Sequence, residues 1–154
     1  MSRKLIAVAA VLAAIVGTVT AIAAAGPASA KQRVTIDVRA SRFVLTPLTS
    51  GAVQPDSGTA TYCCWSELHV VRDGQVLDLN NPQMTLVGKR GTIVGRNRIV
   101  WMDIPDGSAV FTGTWKVVRA TGDYAGLVGG GLTAGLSLAN GKTKERLTGV
   151  LSSK

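Results

Sequence analysis

Val34, Ile36 and Val38 alternate with Thr35 and Asp37, the spacing of a strand with one face buried. That period of two recurs down the chain. Segments at about 75–79, 84–90, 92–103, 109–119, 130–138 and 142–151 join those at 33–45 and 59–71 to predict eight strands. Asp73-Gly74, Asp106-Gly107 and Asn140-Gly141 mark tight hairpin turns, and Pro47 to Gly58 reads as a polar loop. No window beyond residue 30 sustains a helical period for ten residues. The pattern predicts an all-β chain in which eight antiparallel strands close into a barrel. Glycines inside strands (Gly88, Gly95, Gly113, Gly135 and Gly149) favour a barrel over a sandwich, because a small barrel needs bends and has little interior room.

Parity then sorts the side chains. Ile93, Gly95, Asn97, Ile99 and Trp101 share a face opposite Arg96 and Arg98. Ala109, Phe111, Gly113, Trp115 and Val117 oppose Lys116, and Glu145, Leu147, Gly149 and Leu151 oppose Lys142, Lys144 and Arg146. Tryptophans are expected inside and a cationic stripe outside. If the interior is open, Ile99, Trp101, Phe111 and Trp115 line it, with Asn97 and Glu145 as its polar handles. A buried polar group more commonly makes a structural hydrogen bond. In 59–71, Tyr62, Cys64, Leu68 and Val70 form the expected core face, leaving Trp65, Glu67 and His69 outside.

The amino terminus changes the picture of the compartment. Ser2-Arg3-Lys4, an uncharged run from Leu5 to Ala25, Gly26-Pro27 and Ala28-Ser29-Ala30 make a three-part secretory signal with cleavage after Ala30. The run of 21 residues could also span a bilayer as an uncleaved anchor; Gly17, Thr18 and Thr20 dilute it. The expected product is a secreted, single barrel domain of residues 31–154, preceded by the signal peptide 1–30. Removing Arg3 and Lys4 from the 17 basic residues leaves 15 against 9 acidic ones, a net charge of +6. Such a surface could hold envelope polyanions, whereas the absence of an aromatic stacking set argues against specific nucleic-acid binding.

Cys63 and Cys64 are adjacent. Neighbouring Cα atoms sit about 3.8 Å apart, short of the roughly 4.4–6.8 Å usual for a disulfide, and strand geometry sends their side chains to opposite faces. One buried and one exposed thiol is the expectation, with an intermolecular bridge as the alternative. His69 is the only histidine, and Ser66 points away from it, so neither a hydrolytic triad nor a conventional zinc site is expected. No metal or cofactor is called for.

Two nucleotide signatures nearly fit the glycine-rich end of the chain. Gly129 to Ala134 matches a relaxed dinucleotide fingerprint, and Gly141-Lys142-Thr143 ends an imperfect P-loop. Both need a following helix N-terminus to face the phosphate, and "LTAGLSLANGKTKERLTGVL" alternates and turns instead. Thr121-Gly122-x-Tyr124-x-Gly126-x-x-Gly129 reads as a tight corner with Tyr124 plugging one barrel end.

That corner resembles the S/T-G-x-aromatic-x-G-x-x-G segment of the allene oxide cyclase and dirigent barrel superfamily. The stretch from Gly113 to Gly131 resembles small secreted bacterial members of unknown function. The resemblance is strong over residues 86–135, with Ala120 standing where the family commonly has glycine. It implies a calycin-like barrel and a small apolar cavity, and transfers no catalytic residue. Three functions stay open: binding of a small hydrophobic or amphipathic ligand, attachment to polyanions, and an isomerase or cyclase acting by cavity shape.

Overall fold

The computed structural model describes residues 30–72 and 75–154. All but the last residue of the expected secretory signal, and the expected turn at Asp73-Gly74, lie outside those residues. Ten strands follow in order: β1 (Gln32–Arg39), β2 (Arg42–Pro47), β3 (Asp56–Cys63), β4 (Glu67–Arg72), β5 (Gln75–Asn80), β6 (Gln83–Gly88), β7 (Gly91–Asp103), β8 (Ala109–Gly122), β9 (Leu127–Ser137) and β10 (Thr143–Ser153). Among the described residues there is no helix. Eight strands close in the order β7-β6-β3-β2-β1-β10-β9-β8, with β8 pairing back to β7. The chain is an antiparallel, eight-stranded β-barrel.

Two predicted strands are each divided. Residues 33–45 turn at Ala40-Ser41, where Ala40 takes a φ of 54° and no glycine or asparagine announces the bend. Residues 59–71 break after Cys63, and the chain leaves the barrel wall. The β4–β5 hairpin pairs with β7 only at Asp78↔Trp101, Leu79↔Val100 and Asn80↔Ile99, on the edge that β6 occupies over Thr92–Arg96. The hairpin therefore extends the wall past one rim. This overturns the expected core face of that segment: Leu68 and Cys64 are exposed, and only Tyr62 packs against the core.

Strand parity otherwise holds. Ile36, Val38, Phe43, Leu45, Met84, Leu86, Ile93, Leu147 and Leu151 fill the centre. The β7–β8 ladder shifts register between Val94 and Gly95, which leaves Val118 unpaired and exposed and returns Ala120 to the interior. A bulge of this kind re-aims every residue beyond it.

The glycines make space for rings. A Cβ on Gly135 would collide with the Phe111 ring, and one on Gly149 would stand 3.0 Å from Trp115 Cζ2. Phe111 faces Gly135, and Trp115 faces Gly131 next to Gly149 in the ladders.

At one end the corner is built as expected. Gly122 and Gly126 have φ of 66° and 78°, a region closed to most side chains. They let β8 turn into β9 over Tyr124, which is buried. Its hydroxyl donates to Asp56 Oδ2 at 2.8 Å.

Candidate functional site

The opposite end is open. Tyr62, Trp65, Pro82, Asn97, Ile99, Trp101, Phe111, Ser137, Gly141, Thr143 and Glu145 line a cavity of about 230 Å³. Five of the six interior residues expected from parity meet there: Asn97, Ile99, Trp101, Phe111 and Glu145. Trp115 does not. It is 3% exposed within the core, and its Nε1 donates to the Thr148 carbonyl at 3.2 Å.

Trp101 and Phe111 are cross-strand partners, and their rings stack with centroids 5.1 Å apart and planes within 3°. Such pairs stabilise a sheet face by about 0.5–1.5 kcal/mol beyond area burial. The Trp101 Nε1 donates to Asp103 Oδ1 at 3.1 Å, which fixes the indole as a wall of the mouth. Trp65, 64% exposed, stands at the rim.

The floor is polar. Glu145 is 4% exposed and Asn97 1%. Thr133 Oγ1 donates to Glu145 Oε1 at 2.5 Å, Asn97 Nδ2 donates to the same oxygen at 3.2 Å, and the Tyr62 hydroxyl donates to Oε2. Burial pushes the Glu145 carboxyl above its ordinary range, and the bonds from Thr133, Tyr62 and Asn97 only partly offset it. Burial and the neighbouring carboxylate hold the Tyr62 phenol protonated. One atom is left over: Asn97 Oδ1 is buried without a hydrogen-bond partner, which costs free energy unless something in the cavity donates to it.

The sequence pattern places Tyr62 on a core face and Trp65 outside, as the structure has them, but assigns neither of them, nor Thr133, to the site. Tyr62 lies 83 residues from Glu145, so only barrel closure joins them. Thr133 had a weak signal, a β-branched polar residue on the inward parity of a glycine-rich strand.

Cys63 and Cys64 form a disulfide with each other, and both are exposed. This corrects the expectation of one buried and one exposed thiol. The opposite-face rule applies within a strand, but β3 ends at Cys63 and Cys64 takes a φ of 58°, which swings its side chain to the side of its neighbour. A left-handed non-glycine residue costs about 1–2 kcal/mol.

The outer cations also depart from the expected single stripe. Arg96, Arg98 and Lys116 lie on β7 and β8, and Lys144 and Arg146 on β10, with Leu132, Ala134 and Leu136 of β9 between them. Lys142 precedes β10, beyond the last paired residue. Arg146 is paired with Asp37 at 2.7 Å. Arg96 Nη1 donates to the Asn81 carbonyl at 3.2 Å.

His69 Nδ1 lies 2.5 Å from Asp78 Oδ1, its cross-strand partner, so His69 turns to the hairpin and not to Ser66. The hydrogen bond to Asp78 and its charge raise the imidazole pKa. Glu67, His69 and Asp78 bring one ligand atom each within 4.8 Å of one another, and none of them lines the cavity. The Asn140-Gly141 segment is a hairpin turn: Gly141 N–H donates to the Leu138 carbonyl at 2.8 Å, and Lys142 N–H donates to Asn140 Oδ1 at 3.1 Å. With strands on both sides of it, no helix N-terminus faces a phosphate.

No family model, curated protein or solved structure matches this chain.

Proposed function

We propose that this chain is an exported barrel protein that holds a small amphipathic molecule in its open mouth. The observation that carries the reading is the unpartnered Asn97 Oδ1 on the floor of an aromatic cavity. A ligand that stacks on Trp101 and Phe111 and donates one hydrogen bond would satisfy it once the buried Asn97 side chain turns its oxygen to the cavity. At about 230 Å³ the cavity falls below the roughly 300–1,000 Å³ of drug-sized pockets, so the ligand is compact. Burial disfavours the charged form of Glu145, which would suit a neutral molecule better than a cation. The reading is supported by a corner at 121–129 that looks like that of the allene oxide cyclase and dirigent barrels, and the export part of it rests on residues 1–30 alone.

The test is a titration with 2-naphthol, which has a flat ring and one donor, beside naphthalene, which has no donor. The indole N–H resonances report binding. 2-Naphthol is expected to bind more tightly than naphthalene, and Trp101→Ala to weaken it about tenfold by removing one stacking wall. Equal affinity for the two probes, or no binding of either up to its solubility limit, overturns the reading. Export is checked by the amino-terminal sequence of protein from the culture medium, expected to begin at Lys31.

A further inference from the structure

The Cys63–Cys64 disulfide sits where the chain leaves the barrel wall. Tyr62, the residue before it, lines the cavity and donates to Glu145; Trp65, the residue after it, lines the rim. A bridge between neighbours closes no chain loop. The stabilisation of an ordinary disulfide grows with the loop it closes, so this one cannot act as a staple for the barrel. Its effect is confined to the local backbone, where it accompanies the left-handed conformation of Cys64. Arg96 Nη1 reaches from β7 to the Cys64 carbonyl at 3.4 Å, and Gln83 Nε2 stands 3.9 Å from Cys63 Sγ. Both sulfurs belong to exposed residues, open to an attacking thiolate.

We propose that Cys63–Cys64 is a thiol-exchange site that sets the rim of the cavity, with a dithiol as its reducing partner. A thiolate of the dithiol attacks one cysteine sulfur. The S–S bond breaks, and its electron pair passes to the other sulfur, which takes a proton from water. The second thiol of the reductant then attacks the mixed disulfide, releasing the remaining cysteine as a thiol and leaving the reductant as a cyclic disulfide. Two electrons and two protons pass in all. A monothiol is the poorer partner, because the freed cysteine stays beside the mixed disulfide and expels it. Once the bridge opens, Cys64 relaxes towards extended backbone and Trp65 withdraws from the mouth. The effect on ligand affinity rests on the cavity reading above; the movement of Trp65 does not.

The full chain is compared in air-oxidised form, after reduction with dithiothreitol, and as the Cys63→Ser/Cys64→Ser variant. The readouts are thiol titration, the indole N–H resonances, 2-naphthol affinity and thermal melting. The Trp65 resonance is expected to move in the reduced and thiol-free forms while that of Trp115 stays. Affinity for 2-naphthol should fall about tenfold as the strained rim relaxes. The melting temperature should stay within about 3 °C, since no loop is opened. Two free thiols in the air-oxidised protein, or Trp65 resonances identical in all three forms, overturn the proposal. If no form binds 2-naphthol, the cavity reading fails and the Trp65 resonance still decides whether the rim switches. A large fall in melting temperature on reduction would show a structural staple and also overturn it.

Discussion

The two ends of the barrel bury the same chemical pair and put it to opposite use. At the closed end Tyr124 donates to Asp56; at the open end Tyr62 donates to Glu145. Asp56 also accepts backbone N–H groups from Ser57, Lys89 and Arg90. Burial alone would raise its pKa, but the bond from Tyr124 and those three N–H donors together bring it below the ordinary value. Glu145 has only side-chain donors, and burial wins. Backbone donors are fixed by the fold and arrive already aimed, so a carboxylate among them is a structural knot. A carboxyl held by Thr133, Tyr62 and Asn97, beside an acceptor with no partner, rests on side chains alone, which can rotate where backbone donors cannot.

The corner is the place to break the closed end. A side chain at Gly122 would strike the Arg90 carbonyl oxygen and stand 2.8 Å from Gly91 Cα, so Gly122→Val should cost about 3 kcal/mol or more. At Gly126 nothing lies nearer than 4.0 Å, and Gly126→Ala should cost only the left-handed strain of about 1–2 kcal/mol. Chemical denaturation measures both; equal losses would mean that the corner is not packed against the β6–β7 turn.

Removing the acceptor of the knot comes next in size. Asp56→Ala leaves Tyr124 and three partly buried N–H groups without it and should destabilise by about 2–3 kcal/mol. Acid sensitivity follows the same bond set. The folded-state pKa of Asp56 is lowered, so its stabilising effect is present above the ordinary value of 3.8 and is lost as pH falls through the folded value.

At the mouth the sign reverses. Glu145 keeps its proton in the folded chain where the unfolded chain has lost it. The associated stability is fully present below the ordinary value of 4.5 and is lost as pH rises through the folded value. Glu145→Gln should flatten that decline while leaving the acid limb set by Asp56 intact. Melting curves across pH check it, and an unchanged slope above pH 4.5 would place Glu145 with Asp56 as a structural carboxylate.

The smallest effect is expected at the turn that resembles a P-loop. Lys142→Ala alters an exposed turn residue and should shift stability by no more than about 0.5 kcal/mol, with no ATP or NAD binding before or after the change. Nucleotide binding lost in this variant would overturn the hairpin assignment.

Much of the wall was legible because burial acts on every second residue of a strand, and Val34, Ile36, Asn97, Ile99, Phe111 and Leu147 carry that pattern locally. Asp106-Gly107 and Asn140-Gly141 announce their turns through residues that accept positive φ. Ala40 does not, and neither does Cys64, so the breaks at 40–41 and 64–66 were invisible: Ala40 N–H donates to the distant Thr143 carbonyl, and the left-handed Cys64 is bridged to its own neighbour. Sequence parity could state that Glu145, Asn97 and Phe111 face inward. It could not say that Phe111 reaches the mouth while Trp115 sinks into the core, because the tilt of the strands and the placing of glycines in β9 and β10 decide which ring meets which gap. The meeting of Tyr62 with Glu145 follows from closure of the sheet, whereas the bond between adjacent cysteines follows from the backbone turn where β3 ends. A period of two fixes a face; only the closed barrel fixes a neighbour.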